Sequence, residues 1–216
     1  MPTEDKGKRR VTPEAREAFR LELIAIARHI FLTEGHAAVT IRRVTSVAGV
    51  TPMAFYWYFS NKDALLCVIW DGIVQECARH CADEAGTHAP PQRFEAYVAA
   101  FADYWLAHRD YFRFIFLSDA QGTDFIGLRR ELFEREGMQL HFQQLDALLQ
   151  AHLSDLPQAH ARTRTQQMRA LTLYKAMGFL HMAIGILDQA PQEAQAQRAL
   201  MLQDLRQGLA HWSSAP

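Results

Sequence analysis

A chain of 216 residues with 49% hydrophobic and 22% charged content has the make-up of a globular protein with one or two apolar cores, not of a disordered or fibrous one. The net charge of −1 argues, taken whole, against a polyanionic partner, but residues 1–62 carry ten Lys and Arg against six Asp and Glu, whereas residues 63–216 carry thirteen against eighteen. No apolar stretch approaches the ~20 residues that cross a bilayer, the Met-Pro-Thr-Glu-Asp-Lys start lacks the apolar run of a secretory signal, and three cysteines suggest no disulfide framework, so a cytoplasmic protein without membrane association is expected.

No strand-like alternation stands out, and the expected fold is all-α. Residues 1–15 read as a disordered basic arm, with Lys6, Lys8, Arg9 and Arg10 either solvated or touching phosphate or a minor groove. A first helix is predicted over 16–34, stopping at Gly35. Residues 40–62 then read as two short helices joined by a glycine turn. Ile41, Val44 and Ala48 give the first an apolar face; Gly49 sits where that helix must stop; Thr51 is a candidate N-cap, and Pro52 suits the first helical position. Phe55 and Phe59 make the inward face of the second helix. Met53, Ala54, Trp57 and Tyr58 are left looking outward, because adjacent side chains diverge around a helix and cannot share one core. Ser60 to Asp63 opens the next helix with a capping-box-like spacing.

These residues carry a resemblance to the tetracycline-repressor (TetR) family of bacterial transcriptional regulators. The match runs closely over residues 17–70: Leu23 to Phe31 in the first helix, Glu34-Gly35, Thr40, Ala48-Gly49-Val50-Thr51, Phe55-Tyr56, Phe59 and Lys62-Asp63-Ala64-Leu65 fall at the family's spacing. Departures fall at Val44-Thr45, Met53 and Tyr58, and they bear on which operator is read. The resemblance implies a three-helix helix-turn-helix head (16–62) and a C-terminal helical ligand-binding and dimerisation domain (63–216). It places phosphate contacts at Thr40, Tyr56 and Lys62, with Arg42 as a groove or backbone contact. Thr40 reads equally as a plain N-cap. The recognition face comprises Thr51, Pro52, Met53, Ala54, Trp57 and Tyr58, while Arg42 and Arg43 are the nearby guanidinium groups suited to guanine.

Further along, helices are predicted at about 61–85, 91–108, 109–118, 125–153, 163–188 and 192–211, with breaks at Gly86 to Pro91, Gln121 to Asp124, Pro157 and Pro191. Large apolar residues at helical spacing in this region are core first. As a group they suit a small-molecule cavity, for which Phe101, Trp105, His108, Phe112, Arg113, Phe142, Tyr174, Met177 and His181 are the candidates, with Lys175 a further polar one. By resemblance the last two helices pair with those of a second copy, and Gly178, His181, Gly185, Leu202 and Leu205 are candidates for that contact. Cys77, His80 and Cys81 share a helix and are either a metal or thiol sensor or simply packed; two or three ligands on one helix do not complete a tetrahedral site.

No glycine-rich phosphate loop, GxSxG elbow or complete metal set points to an enzyme or to a bound metal or cofactor. The expected function is a homodimeric repressor, released by a small-molecule inducer from a palindromic double-stranded DNA operator. The alternatives are an activator, or a helical interaction protein or enzyme that binds a small molecule without specific DNA binding.

Overall fold

The computed structural model describes residues 12–118, 124–153 and 158–214; most of the expected basic arm therefore lies outside the described residues. Among the described residues the structure is helical without strands. Its chain contacts divide it into two compact units, one ending at Ile69 and one beginning at Trp70.

In the first unit α1 spans Pro13–Glu34, beginning earlier than residue 16 because Thr12 is its N-cap, with its side chain accepting from the Ala15 amide, and Pro13 fills the first helical position. Gly35, at φ 83°, ends α1 and leads through a 3₁₀ turn, His36–Ala38, into α2, Ile41–Val47. A second left-handed glycine, Gly49 at φ 69°, turns the chain into α3, Pro52–Phe55. The core of this unit includes Leu23, Ala27, Ile30, Val44, Phe55 and Phe59. Thr45 is buried with them, and its hydroxyl is satisfied by donating to the Ile41 carbonyl at 2.8 Å.

The long α4, Lys62–Gly86, contributes its first residues to this unit and the remainder to the next. Its cap is Asn61 and not the expected Ser60: the Asn61 Oδ1 accepts from the Ala64 amide at 2.7 Å, since an asparagine one residue nearer the helix reaches the same orphan donors.

The second unit adds α5 (Arg93–Ala107), α6 (Arg109–Phe112), α7 (Phe125–Glu134), α8 (Glu136–His152), α9 (Gln158–Leu180) and α10 (Pro191–Ser214). The single helix expected over 125–153 is two. Arg135 leaves the helical region at ψ 160°, and the chain restarts so that Gly137 lies against α4. That approach is close: the Asp71 carboxylate accepts from the Gly137 amide at 2.8 Å, and a Cβ on Gly137 would sit 2.8 Å from the Asp71 carbonyl oxygen. α5 packs on α8, α9 and α10, and α8 on α9. Ion pairs Asp103–Arg198 and Asp146–Arg169 join α5 to α10 and α8 to α9, and Lys175 of α9 pairs with Asp204 of α10.

Two π-helical segments, Arg113–Leu117 and His181–Ile186, extend α6 and α9 and face each other. Asp188 follows the second with φ 47°, the one described non-glycine residue in the left-handed region. Its carboxylate is held at 2.5 Å by both Arg109 and Arg113, and Arg109 also donates to the Gln189 carbonyl. Those two guanidinium groups draw the Asp188 carboxyl below its usual range.

Candidate nucleic-acid interface and ligand cavity

In the first unit the reading elements are set by local signals. Thr40 caps α2, its hydroxyl accepting from the Arg43 amide at 3.1 Å. Thr51 precedes α3 with extended backbone, but its side chain makes no cap bond, so its hydroxyl is not consumed by the helix. After four α-helical residues the chain continues in tighter turns through Tyr58, and the Phe59 amide still reaches the Phe55 carbonyl at 3.1 Å. Phe55 and Phe59 are buried against each other, ring centres 5.4 Å apart. That fixes the opposite face outward, where Met53 is 69%, Trp57 67% and Tyr56 52% exposed. Large side chains this exposed in a row have no role in their own core.

The remaining candidates divide. Thr40, Arg42, Thr51 and Pro52 are exposed, and Ala54 and Lys62 half-buried. Tyr58, expected to look outward, instead packs its ring on Phe19 of α1 at 5.2 Å and sits near the Arg16 guanidinium. The turn after Phe55 swings it back toward α1, out of the row formed by Met53 and Trp57. Arg43 is exposed but pairs with Glu34 at 2.7 Å, and that bond holds the Glu34 carboxyl below its usual range. Arg42 makes no ion pair among the described residues, which leaves it the less committed of the two guanidinium groups. Lys62 stands near half-buried His36, where burial and then the lysine charge push the imidazole pKa down. One residue that sequence reasoning passed over is Arg16: its Nη2 donates to the Trp57 carbonyl at 2.7 Å. Nothing local marks it, because its partner is 41 residues away.

The second unit holds a cavity of about 500 Å³ that is open on one side, where exposed Tyr174, Gly178 and His181 line it. Of the residues expected to line it, Phe101, Trp105, Phe112, Tyr174, Met177 and His181 do. His108, Arg113, Phe142 and Lys175 are not among the lining residues. His108 is stacked between Tyr104 and Tyr111 at the surface, Arg113 is committed to Asp188, Phe142 lies under the Arg169 guanidinium at 4.9 Å, and Lys175 pairs with Asp204. The walls also hold Val74, Phe116, Leu117, Phe133, Met138, Leu173, Gly178 and His141. Phe116, Leu117 and His181 come from the two π segments, whose altered twist is common where a fold shapes a site. Sequence periodicity could not identify His141, since a buried histidine on an apolar face reads as core.

His141 is 2% exposed, and burial pushes its pKa down to about 4, against a smaller opposing pull from the Val74 backbone, so the ring is neutral near pH 7. Tyr97 meets its Nδ1 at 2.6 Å and also donates to Gln144 Oε1 at 2.8 Å.

Of the dimer candidates, Gly178 and His181 are exposed and line the cavity, and Gly185 is exposed too, yet a Cβ there would lie 2.8 Å from Leu117. Leu202 and Leu205 are buried within their own chain, because their side of α10 faces α5. Apolar side chains that are exposed on α9, the following π segment and α10 include Tyr174, Met182, Leu187 and Leu200. The three cysteines, Cys67, Cys77 and Cys81, are all buried, and none is in a disulfide. The Cys77 and Cys81 sulfurs are 4.0 Å apart, burial raises the Cys77 pKa, and no group of three metal-ligating side chains occurs among the described residues. An inert packed pair is the reading this geometry supports.

Residues 23–67 match the profile described as bacterial regulatory proteins, tetR family. The matched segment lies within the first unit, over the helix-turn-helix described above. Over 65 residues it is 37% identical to the HTH-type transcriptional regulator TtgR of Pseudomonas putida, a match covering 30% of each chain. The chain thus aligns with less than a third of that relative's length. Across most of its length it has the fold of BioQ from Mycobacterium smegmatis, with TM-score 0.60, 22% identity, and coverage of 89% of this chain and 98% of that one. BioQ solved with its natural double-stranded DNA operator superposes with TM-score 0.57 at 21% identity, covering 91% and 98%. No described helix is long and apolar enough to cross a membrane.

Proposed function

We propose that this protein is a DNA-binding transcriptional regulator, acting in the cytoplasm as a homodimeric repressor that a small-molecule inducer releases from its operator. The observation that carries the reading is the exposed row Met53, Tyr56 and Trp57 along α3 and the turn that ends it, which a left-handed glycine presents and two buried phenylalanines hold. A helix so presented suits a major groove. Thr40, Arg42, Thr51, Tyr56 and Lys62 are the groups for phosphate, and Arg42 is better placed than Arg43 to reach a base because Arg43 is paired with Glu34. Few hydrogen-bonding groups lie on the row itself, so thymine methyl contact and DNA shape carry much of the readout. The operator complex solved for BioQ, a protein of this fold, supports the DNA-binding part. The cavity in the second unit supports the inducer part, and α4 is the element whose residues belong to both units.

The test is fluorescence anisotropy of the full chain on DNA upstream of its own gene and of the adjacent genes, across a salt series. A specific complex whose affinity falls steeply with salt is expected. Only weak binding, equal on unrelated DNA, would mean a helical interaction protein or enzyme instead. Transcription reconstituted on the bound promoter must fall on adding the protein; a rise would make it an activator.

A further inference from the structure

α8 begins without a cap of its own. Its N-cap residue is Arg135, whose side chain makes no cap bond, so the first amides of the helix need an acceptor from elsewhere. α4 supplies it. The Asp71 carboxylate accepts from the buried Gly137 amide through Oδ1 at 2.8 Å, across 66 residues of sequence, and from the Gln75 side chain through Oδ2 at 3.0 Å. A carboxylate suits this place doubly: the hydrogen bond is charge-assisted, and the charge meets the positive end of the helix dipole. A Cβ on Gly137 would stand 2.8 Å from the Asp71 carbonyl oxygen and 3.0 Å from the Gln75 amide nitrogen, so α8 starts directly on the α4 backbone.

The same two helices wall one side of the cavity. Val74, one turn of α4 beyond Asp71, lines it together with Met138 and His141 of α8, and the Val74 backbone is near enough to act on the His141 ring. Whatever fills the cavity therefore sits against the junction that Asp71 closes. Asp71 is also the second residue of α4 past the boundary between the units, and the helix runs back unbroken to Lys62 in the first.

We propose that the Asp71–Gly137 bond is a latch coupling the cavity to the reading head. Closed, it holds α4 on α8; a molecule wedged among Val74, Met138 and His141 opens it, and α4 carries the change to the head. This rests on the reading of the protein as a DNA-binding regulator released by a small molecule. Asp71 is a positioning residue, acting through the two helices it joins. Coupling between sites is reciprocal, so operator DNA must tighten the latch that a ligand loosens.

The test is hydrogen exchange of the full chain, free and bound to an operator fragment from the DNA upstream of its own or the adjacent genes, read on peptides covering Gly137 to His141. In the unsubstituted chain the operator is expected to slow exchange there about fivefold or more, from the lower end of ordinary coupling between sites upward. Asp71→Ala abolishes the slowing while the chain still binds DNA. Asp71→Asn, which keeps an oxygen acceptor and loses the charge, retains part of it. A cap with only a structural role would raise exchange equally with and without DNA and leave the slowing intact in Asp71→Ala. That result, or a specific complex with unchanged exchange in the unsubstituted chain, overturns the latch. Thermal unfolding shows whether each variant is folded; if Asp71→Ala is not, Asp71→Asn decides, and slowing equal to that of the unsubstituted chain overturns the proposal. Anisotropy separates the remaining outcome: with no specific complex on any fragment, the regulator reading itself fails and the latch falls with it.

Discussion

The Arg16 guanidinium donates to the backbone oxygen of Trp57 at 2.7 Å, and its carbon lies 6.0 Å from the centre of the Tyr58 ring. One side chain of α1 thus holds the turn that ends the reading helix. Arg16→Ala removes an exposed hydrogen bond worth about 1 kcal/mol of stability, so the melting temperature should fall only slightly. The reading turn loses its tether, however, and affinity should drop about fivefold on every DNA sequence, that energy expressed as binding. Anisotropy alongside thermal unfolding checks this; a large loss of stability with unchanged affinity would mean that Arg16 braces the head without positioning the turn.

Two kinds of change at the interface should separate. Tyr56→Phe and Lys62→Gln remove groups suited to phosphate. They should weaken specific and non-specific binding alike, and Lys62→Gln should lower the salt slope by about one. Met53→Ala and Trp57→Ala should instead reorder preference among operator variants, by about 1–3 kcal/mol at the affected base pair. Equal losses across all operator variants for both groups would defeat the division.

Self-association is testable on α9 and α10. Gly178 has no atom within 4 Å of where a Cβ would stand, although it lies inside a helix, and Leu200 is 66% exposed. Gly178→Ala should therefore stabilise an isolated chain by up to about 1 kcal/mol through helix propensity, while crowding a partner helix and weakening the dimer. Leu200→Glu should yield monomers with unaltered helical content. Sedimentation velocity over a micromolar range reads both; a dimer that persists in both variants would place the contact elsewhere.

His141 sets a pH dependence of stability. Its pKa falls from the ordinary 6.5 to about 4 on folding, so above pH 6.5 it is neutral in both states and contributes no slope. Between 6.5 and 4 the unfolded chain binds a proton that the folded chain does not, and stability falls as pH falls. From pH 7.5 to pH 5.0 this amounts to about 2 kcal/mol. Urea unfolding should show the unsubstituted chain losing about that much more than His141→Phe; parallel losses would mean that the ring is already charged or hydrated in the folded state.

The helix-turn-helix was legible because its determinants act over four residues or fewer. Gly49 takes the left-handed conformation its place demands, Thr40 caps α2, and Pro52 starts α3. The aromatic pair Phe55 and Phe59 faces inward at the expected spacing. In the second unit, six of the residues expected from aromatic density and helical spacing lie around the cavity. His108, Arg113, Phe142 and Lys175 lie outside its lining, since helical spacing does not tell which face of a crowded helix meets the cavity.

From the sequence alone follow the helices, most of their ends, and the exposure of Met53 and Trp57, because propensity, capping and the 3.6-residue period are local properties. Tertiary structure alone decides the rest. Tyr58 turns back onto Phe19, Arg43 is drawn to Glu34, the chain breaks at Arg135 so that Gly137 can meet Asp71, and His141 is locked by Tyr97. Each of these depends on a partner 9 to 66 residues away, and no local rule carries that information.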